Sequence, residues 1–256
     1  MYGVHMKLKT KIIAANILAL LFVICVLSNT STASQEEPSN ASVPNVSMDE
    51  LSAQAVLLLL QGNTAEAIAK LEFAANQGHA GSMVQLGFVH ELGKGVPVNF
   101  TEAAKWYRKA ANQNDATAQN QLGGLFETGS GVPKYPQNAF DLYSKSAKQK
   151  NYFAQFNVAR LYLSGIGTLK NPKKGYEEAR KSAQQGYAPA QDLLSLVYEL
   201  RLGTEKNLIE AYAWASLYSV QKGDTTVRDR IEAQLSTPEI QVGQEKAKNY
   251  FNKKFE

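Results

Sequence analysis

Few residues in this chain could do chemistry. Of its three histidines, His79 and His90 are separated by eleven positions. On one continuous helix that separation is ~16 Å, too far to share a metal ion. His90-Glu91 is not followed by the second histidine that a zinc-protease helix needs. Gly129-Ser130-Gly131 has the wrong glycine spacing for a nucleophile elbow. Gly87 to Gly93-Lys94 has one residue too many for a phosphate-binding loop, and Gly95 stands where Ser or Thr should bind the metal. The single cysteine, Cys25, lies in an N-terminal apolar segment. The rest of the chain therefore excludes disulfides, thiolate metal sites and cysteine nucleophiles. No catalytic, cofactor-binding or metal-ligating residue is assigned. What remains points to binding: Phe153 and Phe156, with Arg160 one helical turn on, have the composition of an apolar anchor pocket with a charged rim.

The elements that position these residues come from a repeat. Gly129 and Gly131 recur 36 positions earlier as Gly93 and Gly95, and 36 later as Gly165 and Gly167. One further step reaches Arg201 and Gly203, where the first glycine is lost. A fixed period of this size marks units that bury their apolar faces against their neighbours. Leu86, Leu122, Val158 and Leu194 form one aliphatic column. Beside it run the small residues Gly87, Gly123, Ala159 and Ser195. Ser82, Leu86 and Val89 are spaced i, i+4, i+7 and so share one helical face. The glycine pair ends that helix, because glycine accepts left-handed backbone geometry. A second helix follows, with Ala103, Ala139, Gly175 and Ala211 in one column and Gln113, Gln149, Gln185 and Gln221 at its end. Ser130 shares a variable loop position with Lys94 and Ile166, and Trp106 shares a packing column with Trp214.

The run Ser82 to Gly87, Gly93-Lys94-Gly95-Val96-Pro97 and Ala103-Ala104-Lys105-Trp106-Tyr107-Arg108-Lys109-Ala110-Ala111 resembles the Sel-like repeat, a relative of the tetratricopeptide repeat. The resemblance covers roughly residues 49 to 222. It implies an all-α fold, a right-handed α/α solenoid of antiparallel helix pairs. The fourth 36-residue unit departs from the pattern, with Arg201 for a glycine and no Val-Pro after Gly203. By the same resemblance, first helices line a concave groove that holds a protein partner. The positions opposite the core face are then Val84, Phe88 and Glu91, Asn120 and Glu127, Phe153, Phe156 and Arg160, and Asp192, Leu196 and Glu199. Phe153 and Phe156 are the expected apolar anchors, with packing of both rings between units as the alternative, and Arg160 is expected to pair an acid of the partner. Relatives with this repeat serve as adaptors in envelope assembly, signalling regulation or host contact. Cysteine-rich relatives imply a second reading, a β-lactamase-like hydrolase, which the missing cysteines and the absence of a visible base–nucleophile pair disfavour.

Four segments are expected: a signal peptide over 1–33, a flexible spacer over 34–48, the repeat array over 49–223 with a short first unit, and a helical cap over 224–256. Lys7, Lys9 and Lys11 precede an apolar run from Ile12 to Leu27, and Ser31-Thr32-Ala33 fits a cleavage site, so export to the periplasm or beyond is expected. An uncleaved anchor is the alternative. Ser34 to Ser47 is rich in Ser, Asn and Pro and too polar to fold alone. The formal charge of +4 comes mostly from the leader, and no basic stripe with interleaved aromatics suggests nucleic acid. The cap is expected to begin its last helix with Thr237 as N-cap and to cover the array with Ala247, Tyr250 and Phe251.

Overall fold

A computed structural model describes residues 46–253, which form twelve α-helices. The first pair is α1 (Met48–Gln61) and α2 (Thr64–Asn76). Four longer units follow: α3 (Ala80–Leu92) with α4 (Phe100–Asn112), α5 (Ala116–Thr128) with α6 (Pro136–Lys148), α7 (Tyr152–Ser164) with α8 (Pro172–Gln184), and α9 (Ala188–Glu199) with α10 (Leu208–Lys222). Two helices close the chain, α11 (Thr226–Glu232) and α12 (Thr237–Lys253). Each helix of the array packs chiefly on its neighbours in the chain, and no strand occurs among the described residues. The architecture is the all-α array of helix pairs that the repeat predicts. The expected signal peptide and most of the spacer lie outside the described residues. Ser47 accepts the amide of Glu50 as the cap of α1, so Met48 already belongs to the helix. No helix among the described residues is long and apolar enough to cross a membrane.

The columns become the core. Leu86, Leu122, Val158 and Leu194 are all buried, at 3% exposure or less. The small column is matched, unit by unit, to a position twenty residues later. A Cβ on Gly87 would lie 2.2 Å from the Tyr107 ring, and one on Gly123 would lie 2.9 Å from the Tyr143 ring. In the next two units the small residue is Ala159 or Ser195, and its counterpart twenty residues on shrinks to Ala179 or Ala215. Helix pairs thus keep close contact by exchanging volume between facing positions.

Polar caps hold the helix starts. His79, Asp115 and Asn151 accept the amides of Ser82, Ala118 and Ala154, and Asn99, Asn171 and Asn207 do the same for the second helices. Asn63 precedes α2 without a side-chain capping bond. One expected cap moves by one residue. Ser236 rather than Thr237 caps the last helix, its amide and hydroxyl both donating to Glu239. The glutamate three residues on thus reaches back to the serine amide, as one half of a capping box does. The Ser236 hydrogen bonds hold the Glu239 carboxyl below its ordinary range.

The glycine pairs divide their labour. Gly93, Gly129 and Gly165 end first helices at positive φ, and Arg201 takes the same geometry at φ 59°. The first glycine is therefore replaceable in the fourth unit, where Arg201 accepts the left-handed geometry, while a Cβ would lie 2.8 Å from the Val98 side chain at Gly93 and 3.0 Å from the Lys134 Cβ at Gly129. The second glycine is not. A Cβ on Gly131 would lie 2.3 Å from the carbonyl carbon of Phe100, and on Gly203 it would lie 2.1 Å from the carbonyl oxygen of Pro172. Each loop thus seats its second glycine on the first residue of the preceding unit's second helix.

A ladder of glutamines links units further in. Gln149, Gln185 and Gln221 donate to buried Gln119, Gln155 and Gln191 at 2.9, 2.7 and 2.8 Å. Met83 occupies that rung in the first long unit, facing Gln113. At the far end α12 covers the array. Tyr250 stacks on Trp214 with centroids 4.5 Å apart, and Ala247 is buried, while Phe251 stays 38% exposed. Trp214 is 3% exposed, which makes it a packing residue, as its column suggested.

Candidate functional site

The expected groove residues separate into two groups. Val84 and Asn120 are buried, at 6% and 8% exposure, and do not lie open on a groove. The helical wheel places them opposite the core, but a first helix in an array is also flanked by the first helices of its neighbours. Asn120 accepts from Asn157 of the next unit at 3.1 Å. Phe88 lies half-buried, edge-on to Tyr107 with centroids 5.7 Å apart.

Four of the five charged members of the set are engaged within the chain. Glu91 accepts the Tyr107 hydroxyl at 2.5 Å, and Glu127 accepts that of Tyr143 at 2.9 Å. Burial, reinforced by these carboxylates, pushes both phenols above their ordinary range. Arg160 donates to both oxygens of Glu127, at 2.7 and 2.8 Å. The guanidinium expected to receive an acid of a partner is therefore engaged within the chain. Glu199 is likewise gripped by Arg230 of α11, through two nitrogens at 2.5 and 2.8 Å. This bidentate pair ties the last unit to the closing helices.

What stays open is apolar. Phe153 is 42% exposed and Leu196 39%, with Phe156 half-buried between them in the chain. Phe153 packs against Tyr152 and Tyr187 at 4.2 and 5.0 Å between centroids, and Phe156 meets Tyr187 at 5.4 Å. The two phenylalanines therefore pack between units, through Tyr187, and still present a surface. Beside them Phe156, Pro189, Leu193, Leu196 and Tyr218 wall a shallow cavity of about 280 Å³, with Asp192 and Lys222 on its lining. Burial raises the Asp192 carboxyl above its ordinary range; Asp224 adds to the effect and Arg230 opposes it. A carboxylate held at this disadvantage beside exposed rings is unlike the paired acids elsewhere on the stripe.

Tyr152 and Tyr187 were not legible as site residues from core periodicity. One signal was available. Tyr187 stands in the cap column of His79, Asp115 and Asn151, and it makes no capping hydrogen bond through its side chain. A ring in place of a polar cap departs from the repeat without serving the helix start.

The structure also assembles a constellation that the sequence hid. His79 places Nδ1 2.9 Å from the Ser82 hydroxyl and Nε2 3.0 Å from Asp49 of α1. These are the residue types of a hydrolase triad. Their arrangement serves another purpose. Ser82 is fully buried, and His79 Nδ1 already accepts the Ser82 amide at 3.2 Å. The imidazole is the N-cap of α3, and its other nitrogen ties that helix to α1. The described residues contain no group of three His, Cys, Asp or Glu arranged to hold a metal.

The model of the Sel1 repeat matches residues 80–115, 116–151, 153–187 and 188–217. A solved Sel1 repeat protein from Oxalobacter formigenes is similar at 25% identity and a TM-score of 0.66, over 80% of this chain and 84% of that one. A second solved structure, c5321, is described as a protective antigen present in uropathogenic Escherichia coli strains displaying an SLR fold. It is 24% identical with a TM-score of 0.51, over 80% of this chain and 53% of that one. This chain thus spans about half of c5321. No functionally curated protein matches the sequence.

Proposed function

Because the chain belongs to the Sel1 repeat family, we propose that it is an exported, non-catalytic adaptor that holds a protein partner on the first-helix face of its third and fourth long units. The observation that carries this reading is the aromatic cluster of Tyr152, Phe153, Phe156 and Tyr187, which leaves apolar rings in water beside the Asp192 cavity. Buried aromatic anchors surrounded by a polar rim are the composition of binding hot spots. Asp192 supports the same reading, because sites that depart from local stability rules are where function is expected. The partner contributes an apolar side chain to the cavity and, at its edge, a cation for Asp192. This revises the sequence expectation, in which Arg160 received an acid.

Export rests on the n-region, apolar run and small residues before Ser34. The hydrolase alternative gains nothing from Asp49, His79 and Ser82, whose geometry is that of a cap. The test is co-purification from cells with wild-type protein and a Phe153→Ser/Leu196→Ser variant, with circular dichroism to confirm folding. Both residues are exposed, so the variant is expected to fold and to lose its partner. A folded variant that recovers the same proteins at the same yield removes this surface from consideration. Nitrocefin turnover by the purified wild type would contradict the non-catalytic reading.

A further inference from the structure

The loops joining first to second helices form a continuous edge. Gly95 seats on Thr64, Gly131 on Phe100, Gly167 on Pro136 and Gly203 on Pro172, so each loop rests on the end of the one before. The Thr101 hydroxyl also donates to the Gly131 carbonyl. Residues 92–100, 128–136, 164–172 and 200–208 are a small part of the described chain. They nevertheless carry seven of the fifteen large apolar side chains exposed among the described residues. Leu92, Val98, Tyr135, Ile166 and Leu200 each stand about half exposed, and Leu169 is 88% exposed. Packing does not account for a leucine left that far in water.

The charges on the same four loops are one-sided. Lys94, Lys134, Lys170, Arg201 and Lys206 face a single acid, Glu205, which Arg201 holds at 3.2 Å. The first turns of the second helices add Lys173 and Lys174 against Glu102 and Glu210. Glu102 is engaged by Lys105, and Glu210 by Lys246 and Tyr250.

We propose that this loop edge docks on an anionic lipid bilayer. The apolar side chains are spread over four successive loops, from one to three on each, with cations between them. A protein partner gains most from a contiguous, shape-matched patch of roughly 800 Å². A bilayer surface accepts separate apolar tips at the headgroup level and rewards each nearby cation. The glycine contacts fix the loop backbones, so the tips are presented without an ordering step. The edge is distinct from the aromatic surface, and the proposal stands independently of it.

The experiment is hydrogen exchange read by mass spectrometry on the full chain, with vesicles of phosphatidylglycerol and phosphatidylcholine in equal parts, and with phosphatidylcholine alone. The N-terminal apolar run is present in every arm, and the readout is local to the loops. Anionic vesicles should slow exchange in 164–171 and 200–207, neutral vesicles should not, and the opposite-edge loops 112–116 and 148–152 should be unaffected. High salt, and a Leu169→Ser/Lys170→Ser variant with unchanged circular dichroism, should abolish the protection. Absence of protection by anionic vesicles, equal protection of both edges, or protection that survives in the variant overturns the proposal. The first of these outcomes would leave the edge to a protein partner.

Discussion

Substituting alanine for each glycine of one loop separates two causes that the sequence presents as a single motif. Gly129 and Gly131 both have positive φ, at 82° and 66°. An alanine in that region is strained by ~1–2 kcal/mol. At Gly129 the added Cβ would meet the Lys134 Cβ at 3.0 Å, a contact that a small loop shift relieves. At Gly131 it would stand 2.3 and 2.4 Å from the Phe100 carbonyl atoms, which belong to a helix start packed into the preceding unit. Overpacking against such a neighbour adds ~1–3 kcal/mol. Gly129→Ala should therefore cost ~1–2 kcal/mol and Gly131→Ala ~2–5 kcal/mol. The reverse change is informative as well. Arg201→Gly removes left-handed strain and loses only the exposed pair with Glu205, so it should stabilise the array by about 1 kcal/mol. The assay is urea unfolding followed by circular dichroism, comparing midpoints at constant slope. Equal losses from the two glycine variants, or a destabilising Arg201→Gly, would refute the division of roles.

Three further outcomes are expected. Gly87→Ala should be strongly destabilising in the wild type and nearly neutral in a Tyr107→Ala background; a double-mutant cycle with no coupling would show that the two positions do not exchange volume. Leu122→Ala should cost ~2–5 kcal/mol, and an unchanged urea midpoint would place this column outside the core. Asp192 has a raised folded-state pKa. Its protonated form therefore favours folding, and that stability is lost as pH rises through the folded value. Asp192→Asn should accordingly raise the urea midpoint at neutral pH, with the difference vanishing at pH below the carboxylate range; a lower midpoint at pH 7 would mean that the charge is satisfied.

The array was legible because its physics repeats. Every 36 residues the same backbone geometry and the same burial recur, so Leu86 predicts Leu194 without any knowledge of the intervening chain. The surface was less legible, because a helical wheel knows one core and the array has several. Val84 and Asn120 look exposed on an isolated helix and are buried in the array, Asn120 beside Asn157 of the next first helix. Glu127 and Arg160 lie 33 positions apart, close to but not on the repeat period, so column reading never sets them beside each other. Arg201 looked like a broken loop, because a sequence does not distinguish a glycine needed for φ from one needed for space. His79 and Ser82 were readable as neighbours, but Asp49, thirty residues away, completes the cap only once α1 packs on α3.

The proposed function places a protein partner on the face built around Phe153 and Leu196. The most direct measurement is photo-crosslinking in the producing cells, with p-benzoylphenylalanine at Phe153 or Leu196. The same substitution at Phe73 of α2, more open at 56% exposure, is the control. One discrete crosslinked species shared by positions 153 and 196 and absent from position 73 is expected. No discrete species from positions 153 and 196, or the same products from all three sites, would contradict it.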